Sequence, residues 1–182
     1  DDIKALIPWD SKFFTQADGL KTHYFDQGPP DAPVLVMVHG NPTWSFYFRN
    51  LIARFSKNYR VIALDFLGMG LSSKFEDRAR RAIDRSGELE ALLQHLAIDK
   101  FSIIMHDWGG PIGTRVAINR VAGLQSIVYL NTTLTETESL PPFIKLAASG
   151  PFSKLVTAST TQFLHFTTRL GVGRALPKAV RQ

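Results

Sequence analysis

The chain has 182 residues, 45% of them apolar and 20% charged, which suits one globular domain with a sizeable core. Cysteine is absent, so disulfides and thiolate metal sites are excluded. The net charge is +5, and its excess lies after residue 130 at Lys145, Lys154, Arg169, Arg174, Lys178 and Arg181; thinly spread among Thr, Ala and Leu, these cations suit a solvated helix face and not a nucleic-acid module.

No basic-then-apolar leader opens the chain, and no apolar run is long enough to span a bilayer, so a soluble cytoplasmic protein with no integral membrane segment is expected. Phe13-Phe14-Thr15 and Thr22-His23-Tyr24-Phe25 flank Asp18-Gly19 and predict a hairpin over 12–27. Gly28-Pro29-Pro30-Asp31-Ala32-Pro33 is a rigid connector. Val34 to Val38 is apolar without alternation, the pattern of a strand covered on both faces. His39-Gly40-Asn41-Pro42-Thr43 ends it, and Phe46, Phe48, Leu51, Ile52 and Phe55 give helical periodicity over 45–56.

The cycle then repeats. Val61-Ile62-Ala63-Leu64 is a predicted strand, Asp65 to Lys74 a Gly-rich loop, and 78–97 a helix with Ile83, Leu89, Leu92, Leu93 and Leu96 as its apolar stripe. Gly87 is a blemish in that helix and a candidate kink. Strand 101–105, a tight turn, helix 110–121 and strand 127–130 follow. Strands alternating with helices predict an α/β fold built on a mostly parallel sheet. After Asn131 the rhythm stops. The run from Thr132 to Glu138 is loop-like, and helices are predicted at about 141–149, 152–169 and 171–181. The expected division is therefore a sheet-bearing part at 1–131 and a helical part at 132–182.

The most informative segment is His106-Asp107-Trp108-Gly109-Gly110, directly after the apolar run Phe101 to Met105. A buried strand, a tight turn and a helix beginning on small residues lift one side chain clear of the sheet. Here that side chain is an aspartate. A carboxylate is ionised at neutral pH without a helping base, so it can attack a saturated carbon and form an ester to the protein. Each residue also has a plainer reading: Asp107 as a helix N-cap, Asn41 as a turn residue before Pro42, Trp108 as core. His39 and His106 read as packing or hydrogen-bonding residues, and Asp65 with Gly68-Met69-Gly70 as a wall of the site.

Taken together, His39-Gly40-Asn41-Pro42-Thr43-Trp44, Asp65-Phe66-Leu67-Gly68-Met69-Gly70-Leu71-Ser72 and His106-Asp107-Trp108-Gly109-Gly110 resemble the haloalkane dehalogenases of the α/β-hydrolase superfamily. They are also similar to the sister group of β-lactone decarboxylases. Met105 departs mildly from the pattern, a smaller residue being commoner there. The resemblance implies an α/β-hydrolase core followed by the first part of a helical cap. It implies Asp107 as nucleophile, the Asn41 side chain and the Trp108 indole N–H as holders of the leaving halide, and the backbone N–H groups of both as an oxyanion hole. The expected substrate is a small apolar alkyl halide, and no metal or organic cofactor is required. Two neutral donors suit that role, because negative charge moves from the carboxylate onto the leaving atom.

The second step of such a reaction needs a His to activate water and an acid to orient it. The resemblance places both after the cap, beyond residue 182. His165 is the sole His after Asp107 and falls in a predicted cap helix, and Asn131 stands where some relatives have the acid. Glu136 and Glu138 come a few residues late. Phe143, Phe152, Phe163 and Phe166 are expected to line an apolar pocket or pack on the core. An epoxide hydrolase with the same nucleophile would need cap tyrosines, and no Tyr follows Tyr129. Strand 127–130 would lie mid-sheet in the complete fold. A complementary polypeptide or a homo-oligomer is therefore expected to complete the sheet. The remaining alternative is an inactive fragment, or half of a split protein.

Overall fold

The computed structural model describes residues 5–75 and 80–134. The expected helices beyond residue 140, His165 and the four cap phenylalanines lie outside the described residues.

Strands β1 (Lys12–Thr15) and β2 (Lys21–Gln27) form the predicted antiparallel hairpin. Gly19 sits at φ 81° in its turn, where the Asp18 carboxylate accepts the Leu20 N–H. Strands β3 (Val34–Val38), β4 (Arg60–Leu64), β5 (Phe101–Asp107) and β6 (Leu124–Thr132) complete a sheet of order β1-β2-β4-β3-β5-β6. The β4–β3, β3–β5 and β5–β6 pairs are parallel, and β2 meets β4 antiparallel. The sheet is thus mixed and mostly parallel, as the alternation of strands and helices predicts.

The unalternating strands are covered on both faces, as their composition requires. Val36, Val38, Ile62, Leu64, Ile103 and Met105 point to one side. They pack there with Leu89, Leu92 and Leu93 of helix α2 (Ala82–His95) and Ile112 and Val116 of helix α3 (Gly109–Asn119). Leu35, Met37, Val61, Ala63 and Ile104 point to the other side, against Phe48 and Ile52; Ile52 belongs to helix α1 (Arg49–Phe55).

Several boundaries differ from the sequence expectation; strand 101–105 runs on to Asp107, and helix 110–121 is Gly109–Asn119. The helix expected over 45–56 opens as a 3₁₀ turn, Ser45–Phe48, before α1. Phe46, Tyr47 and Phe48 are weak helix formers, and 3₁₀ geometry is common at helix entries. The helix expected from 78 begins at Ala82 because Arg81 is extended (φ −79°, ψ 167°) and donates its N–H to the Asp84 carboxylate. That helix is unbroken at Gly87, so the candidate kink is not realised as a break. Strand β6 runs longer than 127–130, because pairing from Phe101↔Leu124 to Asp107↔Thr132 extends it at both ends.

Among the described residues β6 pairs with β5 alone. Ile127, Val128 and Tyr129 on it are 37%, 42% and 38% exposed. No helix of the described residues is long and apolar enough to cross a membrane.

Candidate active site

Strands β3, β4 and β5 run parallel, so the segments following all three emerge at one edge of the sheet, where open α/β sheets bind ligands. The β3–β5 register pairs Val38 with Met105. Two residues on, Gly40 and Asp107 come side by side. The close fit is visible at Gly40, where any Cβ would fall on the Asp107 carboxylate. Asp107 itself has φ 53°, a left-handed conformation costing a non-glycine residue ~1 kcal/mol or more. The strand therefore turns sharply into α3 at this residue. Gly109 permits the turn, because a Cβ there would strike the Val38 carbonyl.

The Asp107 carboxylate is held at one oxygen. The Asn41 backbone N–H donates to Oδ1 at 2.8 Å. Among the described residues Oδ2 accepts no hydrogen bond. The Thr132 hydroxyl donates to the Asp107 carbonyl from β6, fixing the turn from the other side. Asn41 is exposed, and its turn is closed by the Thr43 N–H and hydroxyl, which donate to the Gly40 carbonyl at 3.1 Å and 3.0 Å. Trp108 adopts helical angles (φ −60°, ψ −16°) and is 40% exposed. Neither the Asn41 amide nor the Trp108 indole N–H has a hydrogen-bond partner among the described residues. The three predicted site residues thus stand together at one strand edge.

Of the flanking histidines, His39 is held by hydrogen bonds and His106 by ring stacking, with its Nδ1 buried and without a hydrogen-bond partner among the described residues. His39 is buried; its Nδ1–H donates to the Gly40 carbonyl at 2.8 Å, and its Nε2 accepts the Phe66 N–H at 3.1 Å. Burial holds its pKa below the usual histidine value. His106 stacks on Tyr47 with ring centroids 4.1 Å apart. Burial lowers its pKa, while the Asp107 charge raises it. The Tyr47 phenol is pushed up by burial and then by the charge of Asp107. Sequence reading missed Tyr47 and Thr132. Nothing local marks either one, since both reach the site through tertiary pairing. Asp65 is buried, with its carboxylate turned to backbone N–H groups and to His23. A surface cleft of roughly 330 Å³ lined by Asp99, Lys100, Arg120, Ala122 and Gly123 adjoins the start of β5, at the opposite end of the sheet from Asp107.

Comparison with known proteins gives a consistent picture. Residues 33–172 match the alpha/beta hydrolase fold family. The chain is 35% identical over 175 residues to a cis-3-alkyl-4-alkyloxetan-2-one decarboxylase of Xanthomonas campestris, covering 90% of this chain and 58% of the relative. It is 30% identical over 172 residues to haloalkane dehalogenase 2 of Mycobacterium bovis, covering 94% and 57%. The crystal structure of a haloalkane dehalogenase from Bradyrhizobium elkani superposes with a TM-score of 0.82 at 22% identity, over 94% of this chain and 62% of that one, a likeness of fold. The chain spans a little over half the length of the curated relatives it matches.

Proposed function

The chain belongs to the alpha/beta hydrolase fold family, and on that premise we propose that its site cleaves carbon–halogen bonds with Asp107 as nucleophile. Oδ2 attacks the carbon bearing the halogen. A C–O bond forms, the carbon–halogen bond breaks with its electron pair, and the halide departs toward the Asn41 amide and the Trp108 indole N–H. The product is an alkyl ester on Asp107, whose carbonyl oxygen is received by the backbone N–H groups of Asn41 and Trp108. Each such donor contributes up to ~3 kcal/mol of barrier lowering in a water-poor pocket. The observation carrying this reading is a carboxylate at φ 53°, one oxygen bound by the Asn41 N–H at 2.8 Å and the other unengaged among the described residues.

Hydrolysis of the ester needs a base. His23 and His39 have both ring nitrogens engaged, His95 stacks on Phe14, and His106 is stacked under Tyr47. The family resemblance assigns the activating His and its acid outside the described residues. The apolar strand β6 is assigned a pairing partner, either a complementary polypeptide segment or a second copy of the chain. The residues 1–131 constitute the core part in this reading, and 132–182 the beginning of a cap.

A second reading uses the same nucleophile to open a β-lactone, and the higher identity to the decarboxylase favours it. Incubation with 1-bromohexane, and separately with a long-chain cis-β-lactone, followed by intact mass and halide assay separates the readings. A hexyl adduct on Asp107 or released bromide supports dehalogenation. Olefin and carbon dioxide from the lactone, with no hexyl adduct, support decarboxylation. No reaction with either supports an inactive fragment.

A further inference from the structure

Asp65 lies 20 residues from Ser45 and 42 from His23, yet it binds both. Its side chain is fully buried. Oδ1 accepts the Ser45 N–H at 2.8 Å; Oδ2 accepts the Leu71 N–H at 2.8 Å and faces His23 Nδ1 at 2.9 Å. Because a carboxylate offers no donor, His23 Nδ1 carries the hydrogen, and Nε2 faces the Ser11 hydroxyl at 3.0 Å. Phe13 and Phe25 meet the His23 ring edge-on, with centroids 5.3 Å and 4.8 Å away, which fixes its plane. Burial pushes the Asp65 pKa up, but the His23 hydrogen bond and the two N–H donors bring it below the usual carboxylate value. Asp65 is therefore a buried carboxylate with three donors aimed at it.

The site turn hangs on that carboxylate. Gly40 fixes the start of the turn on β3, and its carbonyl accepts both Thr43 donors. Trp44 is fully extended at φ −150° and ψ −178°, so Ser45 delivers the chain into the 3₁₀ turn. The far end of the turn is anchored by the Ser45 N–H. Asn41 lies between the two anchors. The same carboxylate holds the loop after β4, where a Cβ on Gly70 would collide with it.

Resting on the reading of Asp107 as nucleophile, we propose that Asp65, oriented by His23, is a positioning residue that clamps the Asn41 turn and so sets the Asn41 N–H against Asp107. It touches neither substrate nor halide. Loosening it lowers the rate of ester formation and leaves substrate binding alone.

Two variants of the chain test this. Asp65→Asn puts an amide N–H₂ against at least one of the donors. Ser45→Pro deletes the single N–H that grips Oδ1. Proline is tolerated at the first position of such a turn, and the extended Trp44 suits the residue before it. Three quantities are read: hydrogen exchange of the Asn41 amide, Asp107 alkylation across 1-bromohexane concentrations, and the urea midpoint as a measure of the folded fraction. Expected in both variants are Asn41 exchange at least tenfold faster and a maximal alkylation rate at least tenfold lower, with half-saturation within twofold of the parent. If Asp65→Asn fails to fold, Ser45→Pro decides. Unchanged Asn41 exchange, or a rate falling only with the folded fraction, overturns the proposal. If the parent forms no ester, the nucleophile assignment falls while Asn41 exchange still decides the clamp.

Discussion

Asp107 occupies a left-handed backbone conformation and, among the described residues, keeps one oxygen bound and one free. Asp107→Asn preserves the shape and the Oδ1 acceptor while removing the anion proposed to attack. Intact mass after 1-bromohexane treatment is expected to show no adduct, with an unchanged circular dichroism spectrum. Trp108→Phe keeps a ring but deletes the indole N–H, and the initial alkylation rate is expected to fall ~100-fold. His39 supplies a pH dependence. Its Nε2 accepts the Phe66 N–H, which requires the neutral ring, and its pKa in the fold lies below the ordinary 6.5. Below that ordinary value the unfolded chain takes up a proton that the folded chain resists. Stability is therefore full above about 6.5 and declines as pH falls toward the depressed folded value. Urea midpoints between pH 7.5 and 5 are expected to drop, and His39→Gln to flatten part of that slope.

At the scale of elements, the close approach of α3 to β3 depends on Gly109. Gly109→Ala drives a Cβ into the Val38 carbonyl, and a loss of ~2 kcal/mol or more is expected in urea unfolding. The strands that carry the site were legible because burial on both faces leaves a continuous apolar signature at Val34–Val38 and Phe101–Met105. The turn after β5 was legible because its steric demands restrict Gly109 and Gly110. Other features had no local signal. The start of α2 depends on whether Asp84 caps Arg81 or Arg81 continues the helix, and periodicity is blind to that choice. The length of β6 is set by its register with β5, which lets Gln125 and Ser126 join a strand whose own pattern suggests only 127–130. Thr132 reads as the start of a polar loop, and its bond to Asp107 exists only because the two residues are paired across the sheet. Asp65 is recognisable as a loop residue, but its partners His23 and Ser45 are fixed by tertiary structure alone.

For the whole molecule, the β6 edge, unpaired beyond β5 among the described residues, is the consequential surface. Ile127, Val128 and Tyr129 present apolar area on a strand that, among the described residues, pairs with β5 alone, an arrangement prone to pairing with another chain. Sedimentation velocity of the chain is expected to show species heavier than a monomer, and Val128→Lys to shift the distribution toward the monomer. An unchanged distribution in that variant would count against β6 as the contact.

The pairing of β3 with β5 has a temporal meaning as well. The amide of residue 41 and the carboxylate of residue 107 are separated by 66 positions, and no helix or hairpin could introduce them to each other. With Asp107 as the proposed nucleophile, a nascent or half-collapsed chain holds an ordinary aspartate until both strands dock. Arming and folding become one event, so alkylation of this single carboxylate would count correctly assembled molecules in a mixed population.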